Sequence, residues 1–216
     1  MSDVKVKLTA ANLAALLCAR ICHDLVSPVG ALTAALEVFE DDSNLDMRDD
    51  AMELIKLSAG QASAKLQFLR LAFGAGGSAP GVISCDELKK LSLNVFDGGK
   101  VDIKWNVEVD GLDKPAARVL LNLVMLGMQV IPRGGVMDVQ ATNSDDLSTI
   151  KLVCTGPKAR LDPNIVKTLA GGAPEDGFDG RSVQPFYTGI IARENNGKVS
   201  ASIEDETVTL SAHLSN

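Results

Sequence analysis

His23 and Asp24 stand side by side in "LLCARICHDLVSPVGALTAALEVFEDD", Leu16 to Asp42, and Pro28 follows four residues after the acid. An imidazole can act as nucleophile, proton carrier or metal ligand, and a carboxylate beside it can orient the ring or take its proton. The proline is costly in a helix interior, on the order of 3 kcal/mol, because it lacks an N–H. Here the missing donor is the one that bonds the carbonyl of Asp24. A cost of that size next to a histidine points to a functional site rather than a plain coiled coil.

The surrounding pattern is helical. Cys18, Ile21, Leu25, Val29, Leu32, Leu36 and Phe39 recur at threes and fours, which predicts one helix from about Thr9 to Glu40 that continues through Pro28 with a bend. "EDDSN" makes a turn, and a second helix is expected from Asp46 to Phe73, with Ile55, Ala59, Ala62, Leu66, Leu69 and Phe73 on one stripe. At about 100° per residue, His23 lies roughly 160° from both Ile21 and Leu25, so it faces away from the stripe. Arg20, Ser27, Gly30, Ala34 and Glu37 share its face. A histidine among Ser, Gly and Ala is open to the approach of another molecule. Two helices alone cannot enclose a core, so the hairpin is expected to pair with a second copy into a dimeric four-helix bundle.

"FGAGGSAPG", Phe73 to Gly81, breaks the chain into two regions. The division expected is a helical hairpin over 1–75, a linker over 76–81 and a second domain over 82–216, in which strand-like and helix-like segments alternate. The 216 residues are 46% apolar with a net charge of −7, which suffices for a core and disfavours a nucleic-acid backbone as ligand. The longest apolar run, "VLLNLVMLGMQVI", is too short to span a membrane and is interrupted by Asn122 and Gln129. Cys18, Cys22, Cys85 and Cys154 show no disulfide or zinc-ribbon spacing, and free thiols in a cytoplasmic protein are the expectation. Zinc at Cys18, Cys22 and His213 is disfavoured, because the two thiols lie on the apolar side and are expected to be buried. Cys22 and His23 do not form a catalytic pair, since adjacent helix residues point about 100° apart.

"HDLVSP" resembles the phospho-acceptor motif of histidine kinases: His23, Asp24, Leu25, Ser27 and Pro28 fill its defined places. HD-type phosphohydrolases also begin with such a pair, but they need more histidines than His23 and His213. The second region resembles the kinase ATP-binding domain. "VLLNLVMLGMQVIPRGGVMDV" matches the N-box helix and its strand through Asn122, Pro132, Gly134 and Gly135, but the metal-holding asparagine falls at Leu126. In "KLVCTGPKARL" Gly156 survives, while the adenine-reading aspartate is Cys154 and the second glycine is Lys158. "QPFYTGIIARENNGKVSASIEDETVTL" resembles the last helix and hairpin, and the glycine-rich phosphate loop is reduced to "DGFDGRSV". Leucine cannot ligate Mg²⁺, and cysteine is a poor acceptor for an adenine amine. The resemblance therefore implies an α+β fold: a helical hairpin forming a dimeric bundle, plus an α/β sandwich like a histidine-kinase ATP-binding domain that has lost its nucleotide chemistry.

Such a combination resembles the ChpT-type histidine phosphotransferases of alphaproteobacterial cell-cycle phosphorelays. That resemblance implies a cytoplasmic homodimer relaying a phosphoryl group without ATP. The group would pass from the receiver domain of a hybrid histidine kinase (CckA-like) to response regulators (CtrA-like and CpdR-like). It implies no cofactor of its own, since the receiver supplies Mg²⁺. His23 would be the nucleophile. Asp24 would hydrogen-bond the ring or accept its proton, or else be an ordinary helix charge. Arg20, Ser27, Gly30, Ala31 and Ala34 would meet the receiver, although an arginine so placed more often forms a surface ion pair. A divergent kinase that still binds ATP and a non-catalytic scaffold are the alternatives.

Overall fold

The computed structural model describes residues 8–74, 79–96, 98–144 and 147–215; residues 76–78, half of the expected linker, lie outside them. The chain opens with α1 (Ala10–Glu40), whose first turn is capped by the Thr9 hydroxyl accepting from the Asn12 N–H at 3.2 Å. Asp41 ends it, and a 3-10 turn over Asp42–Met47 reverses the chain into α2 (Arg48–Ala72). The helix runs unbroken through Pro28, as the continuing stripe predicts.

The hairpin's core is only half filled. The seam between α1 and α2 buries Pro28 and Ala35 from one side and Ala51 and Ser58 from the other, so small residues let the helices approach closely. About 100° around α1 from that seam, Val29 is 48% and Leu36 41% exposed. Leu54, Leu57 and Leu66 of α2 are exposed as well. This departs from the sequence expectation in one respect: the stripe of Cys18, Val29 and Leu36 is not buried within one chain, and Cys18 and Cys22 are exposed thiols. Helix α1 is also long and apolar enough, by length and composition alone, to cross a membrane, contrary to the reading of the sequence. Its apolarity is divided between the seam with α2 and the open stripe.

The remainder is a two-layer α/β sandwich. After β1 (Val82–Ser84) and α3 (Cys85–Phe96) come β2 (Val101–Val107), β3 (Gly111–Asp113) and α4 (Lys114–Val130). Then follow β4 (Gly135–Ser144), β5 (Leu147–Thr155), α5 (Pro163–Leu169), α6 (Val183–Glu194), β6 (Lys198–Glu204) and β7 (Thr207–Ser215). The main sheet has the order β2-β4-β5-β7-β6, parallel only between β2 and β4, while β1 and β3 form a separate antiparallel pair. Alternation along β4 and β5 sends Met137, Val139, Ala141, Ile150, Leu152 and Cys154 to one buried face. That face is covered by α4, which is buried almost throughout. The apolar run that the sequence shows around Asn122 is therefore a core helix.

The hairpin and the sandwich share this core. Phe68, Leu69 and Ala72 at the end of α2 are buried in it, and Phe68 meets Phe96 edge-to-face at 5.9 Å. Asn122, wholly buried on α4, ties the parts together. Its Nδ2 donates to the Ala72 carbonyl at 2.9 Å, and Gln184 on α6 donates to its Oδ1 at 3.1 Å. Asn122→Ala strands the Ala72 carbonyl in the core and leaves the Gln184 Nε2 only its 2.9 Å bond to the main-chain carbonyl of residue 122. Urea unfolding should show a loss of about 2–4 kcal/mol; a loss under about 0.5 kcal/mol would mean that the hairpin is anchored otherwise.

Candidate functional site

The site begins with a vacancy in the α1 hydrogen-bond ladder. Pro28 has no N–H to give to the carbonyl of Asp24, one helical turn back. Lys65, on α2, fills the gap: its Nζ donates to the Asp24 carbonyl oxygen at 3.2 Å. A cross-helix bond to a freed carbonyl fixes α1 against α2 at the level of His23. Nothing in the sequence pattern singles out Lys65. The proline marks the orphan carbonyl, but the register of the hairpin, which selects the donor, is not written in either helix alone.

Around this anchor the side chains form a short chain of contacts. The Arg20 Nε donates to Asp24 Oδ2 at 3.0 Å, and Asp24 Oδ1 lies 3.2 Å from His23 Nδ1. The arginine and aspartate side chains are 12% and 20% exposed, whereas that of His23 is 69% exposed. The imidazole thus turns one nitrogen to a carboxylate and leaves Nε2 to solvent. Ser27, Gly30 and Ala34 are exposed beside it, and a Cβ added at Gly30 meets nothing within 4 Å. Two expected docking residues are not on this face. Arg20 is held inward by Asp24 and by Gly180, whose added Cβ would lie 3.7 Å from the Arg20 Cα. Ala31 is half-buried, turned toward the hairpin seam rather than the open side.

Beneath the ion pair lies a cavity of about 180 Å³ walled by Phe68, Phe96, Met125 and Met128, with Arg20, Asp24 and Lys65 at its polar end. On the other side of Arg20 a cleft of about 770 Å³ runs toward Arg160, Asp162, Asp176 and Arg181. This cleft lies beside the reduced phosphate loop. The α6 N-terminus, a natural anion site, is already served by the chain's own Asp179. That carboxylate accepts from the Ser182 N–H at 2.7 Å, the Ser182 hydroxyl at 2.6 Å and the Arg181 N–H at 3.0 Å. The Ser182 hydroxyl and these backbone donors hold its pKa below the usual carboxylate range.

The remnants of the nucleotide boxes serve packing. Leu126 and Cys154 are wholly buried, and neither lines the cleft. Burial pushes the Cys154 thiol up to about 12, so it stays a neutral core group. A Cβ at Gly127 would come 3.1 Å from Cys154 Sγ and 2.7 Å from the Met137 methyl, so this glycine lets α4 lie close on the sheet. Gly134 and Gly135 have φ of +93° and +139°, and a Cβ on either, or on Gly156, would collide with a backbone carbonyl. Lys158, which stands where the resemblance expects a second glycine, has a left-handed backbone with φ +59°. Elsewhere, His213 on β7 bonds Thr149, and among the described residues no cluster of His, Cys, Asp or Glu is arranged to hold a metal ion.

An exposed histidine on a helical hairpin, joined to this sandwich, is the setting of a histidine phosphotransferase rather than an ATP-dependent kinase, and the family comparison gives that class. The histidine phosphotransferase C-terminal domain family matches residues 85–207, and the chain belongs to this family. It is 40% identical to the protein phosphotransferase ChpT of Brucella abortus (strain 2308), over 97% of this chain and 99% of that protein. A solved bacterial phosphotransferase, 38% identical, superposes with a TM-score of 0.86 over 96% of this chain and 98% of its own. The catalytic domain of the histidine kinase ThkA, 14% identical, aligns with 63% of this chain and 95% of its own at a TM-score of 0.48.

The Lys65 contact can be isolated by a double-mutant cycle. Lys65→Met alone is expected to cost about 1 kcal/mol in urea unfolding, since it leaves the Asp24 carbonyl without a donor. Pro28→Ala restores the helical N–H. In that background Lys65→Met should cost much less, giving a coupling of at least about 0.5 kcal/mol. Strict additivity would show that Lys65 does not serve that carbonyl.

Proposed function

We propose that the chain relays a phosphoryl group through His23, from the receiver domain of a hybrid histidine kinase to downstream response regulators. The observation that carries this reading is an exposed imidazole whose Nδ1 faces a carboxylate and whose Nε2 is free, on a face of small residues. Phosphoryl transfer asks mainly for in-line positioning and charge neutralisation. The receiver brings its aspartyl phosphate and its Mg²⁺, and this chain brings the oriented nucleophile and a shallow landing surface at Ser27, Gly30 and Ala34. The motif's resemblance to the ChpT-type phosphotransferases suggests CckA-like donors and CtrA-like and CpdR-like acceptors in a cytoplasmic cell-cycle relay. Labelled ATP alone should put no phosphate on the chain and Mg-ATP should give no calorimetric signal. A labelled phospho-receiver should put phosphate on wild type but not on His23→Gln. Self-labelling from ATP would overturn the reading.

We infer further that the working unit is a homodimer through the hairpins. Val29 and Leu36 of α1 and Leu54, Leu57 and Leu66 of α2 are exposed in a single chain, and a second hairpin would cover such a stripe in a four-helix bundle. The dimer leaves His23 outside, because it points away from that stripe. Light scattering should give twice the chain mass of 22.7 kDa. Val29→Glu with Leu36→Glu should shift it to a monomer. A monomeric wild type at micromolar concentration would refute the bundle.

A further inference from the structure

We propose that Arg20 is a positioning residue for phosphoryl transfer, acting on His23 through Asp24. The inference rests on His23 being the phospho-accepting residue. The Arg20 Nε holds one carboxylate oxygen of Asp24 at 3.0 Å, which leaves the other, Oδ1, aimed at His23 Nδ1 at 3.2 Å. An aspartate one position along a helix from a histidine has no intrinsic reason to face the ring, and a bond to either oxygen removes its rotational freedom. Arg20 is itself fixed. Its side chain is only 12% exposed, it lines the apolar-walled cavity under the site, and Gly180 of the sandwich lies against its backbone. With Lys65 on the Asp24 carbonyl, the aspartate is gripped at both ends by cations.

The consequence is a defined tautomer. A carboxylate at Nδ1 favours the ring with Nδ1–H and a lone pair on Nε2, the nitrogen that faces solvent. In the transfer step the Nε2 lone pair forms the N–P bond while the aspartyl O–P bond of the receiver breaks, and its electron pair leaves on the receiver carboxylate. The ring keeps its Nδ1 proton and becomes a phosphoimidazolium, whose positive charge lies against Asp24. A protonated ring is the better leaving group when the next receiver's carboxylate attacks phosphorus. One arrangement thus serves loading and unloading alike.

The test uses full-length, ¹⁵N-histidine-labelled protein as wild type, Arg20→Gln, Arg20→Lys and His23→Gln. The chain has two histidines, so the His23 ring signals are assigned by their loss in His23→Gln. The probe is a receiver domain phosphorylated with acetyl phosphate and Mg²⁺. Wild type should show mainly the Nδ1–H tautomer. Arg20→Gln should show a tautomer mixture and transfer slowed roughly tenfold in both directions, the scale of one lost orienting hydrogen bond. Receiver affinity should stay within about twofold, and Arg20→Lys should recover part of both effects. An unchanged tautomer in Arg20→Gln overturns the proposal, whether transfer is normal or falls together with receiver affinity. Transfer that survives His23→Gln refutes the site itself, and the tautomer still reports separately on Arg20.

Discussion

Everything at the site hangs on one carbonyl. Pro28 deprives Asp24 of its helical donor, and a helix seldom tolerates such a loss without a substitute. The substitute comes from outside the helix, from Lys65. An intrahelical bond would have fixed nothing beyond α1. The bond actually made fixes the rotation and height of α1 on α2, and hence the direction of His23. Arg20 and Pro28 both face inward, toward the sandwich and toward α2, so the motif's exposed histidine stands on a buried foundation. The proline that is a defect in the helix is a constraint in the hairpin.

The second domain follows a similar logic of substitution. Its glycines persist where backbone passes backbone: Gly134 and Gly156 could not carry a Cβ without striking a carbonyl. Asn122 persists because its amide joins α2 to α4 and α6. What has changed are groups whose value lies in nucleotide chemistry. Leu126 and Cys154 now add to the core, and Asp179 supplies the anion that the α6 N-terminus favours. Packing and chemistry are separable in this sandwich, and each residue's fate follows from which of the two it serves.

That separation explains what was legible in the sequence. Periodicity reported the hairpin closely, α1 ending at Glu40 as expected, because amphipathic spacing is a local signal. It also placed His23 opposite the apolar stripe. It could not say which half of the stripe its own α2 would cover, so Cys18 and Cys22 were expected to be buried and are exposed. Helical angle put Arg20 on the receiver face and the family resemblance put Ala31 there, whereas the neighbouring domain and the seam claim them. Lys65 was illegible for the same reason: a contact between helices depends on their register, which only the assembled core decides.

The half-filled hairpin and the fixed histidine are then one constraint seen from two sides. Around α1 the seam with α2, the open stripe of Val29 and Leu36 and the face of His23 lie roughly a third of a turn from each other. A helix has no room for a fourth independent face. Whatever covers the open stripe must leave the third face bare, and whatever docks on the third face meets Val26, 67% exposed and about 60° from His23, as its large apolar side chain. Ser27, Gly30 and Ala34 offer a close approach but little apolar area, which suits a contact that forms and releases. A receiver docking on this face would meet small residues around a single valine, so a transient contact would follow from how α1 divides its circumference.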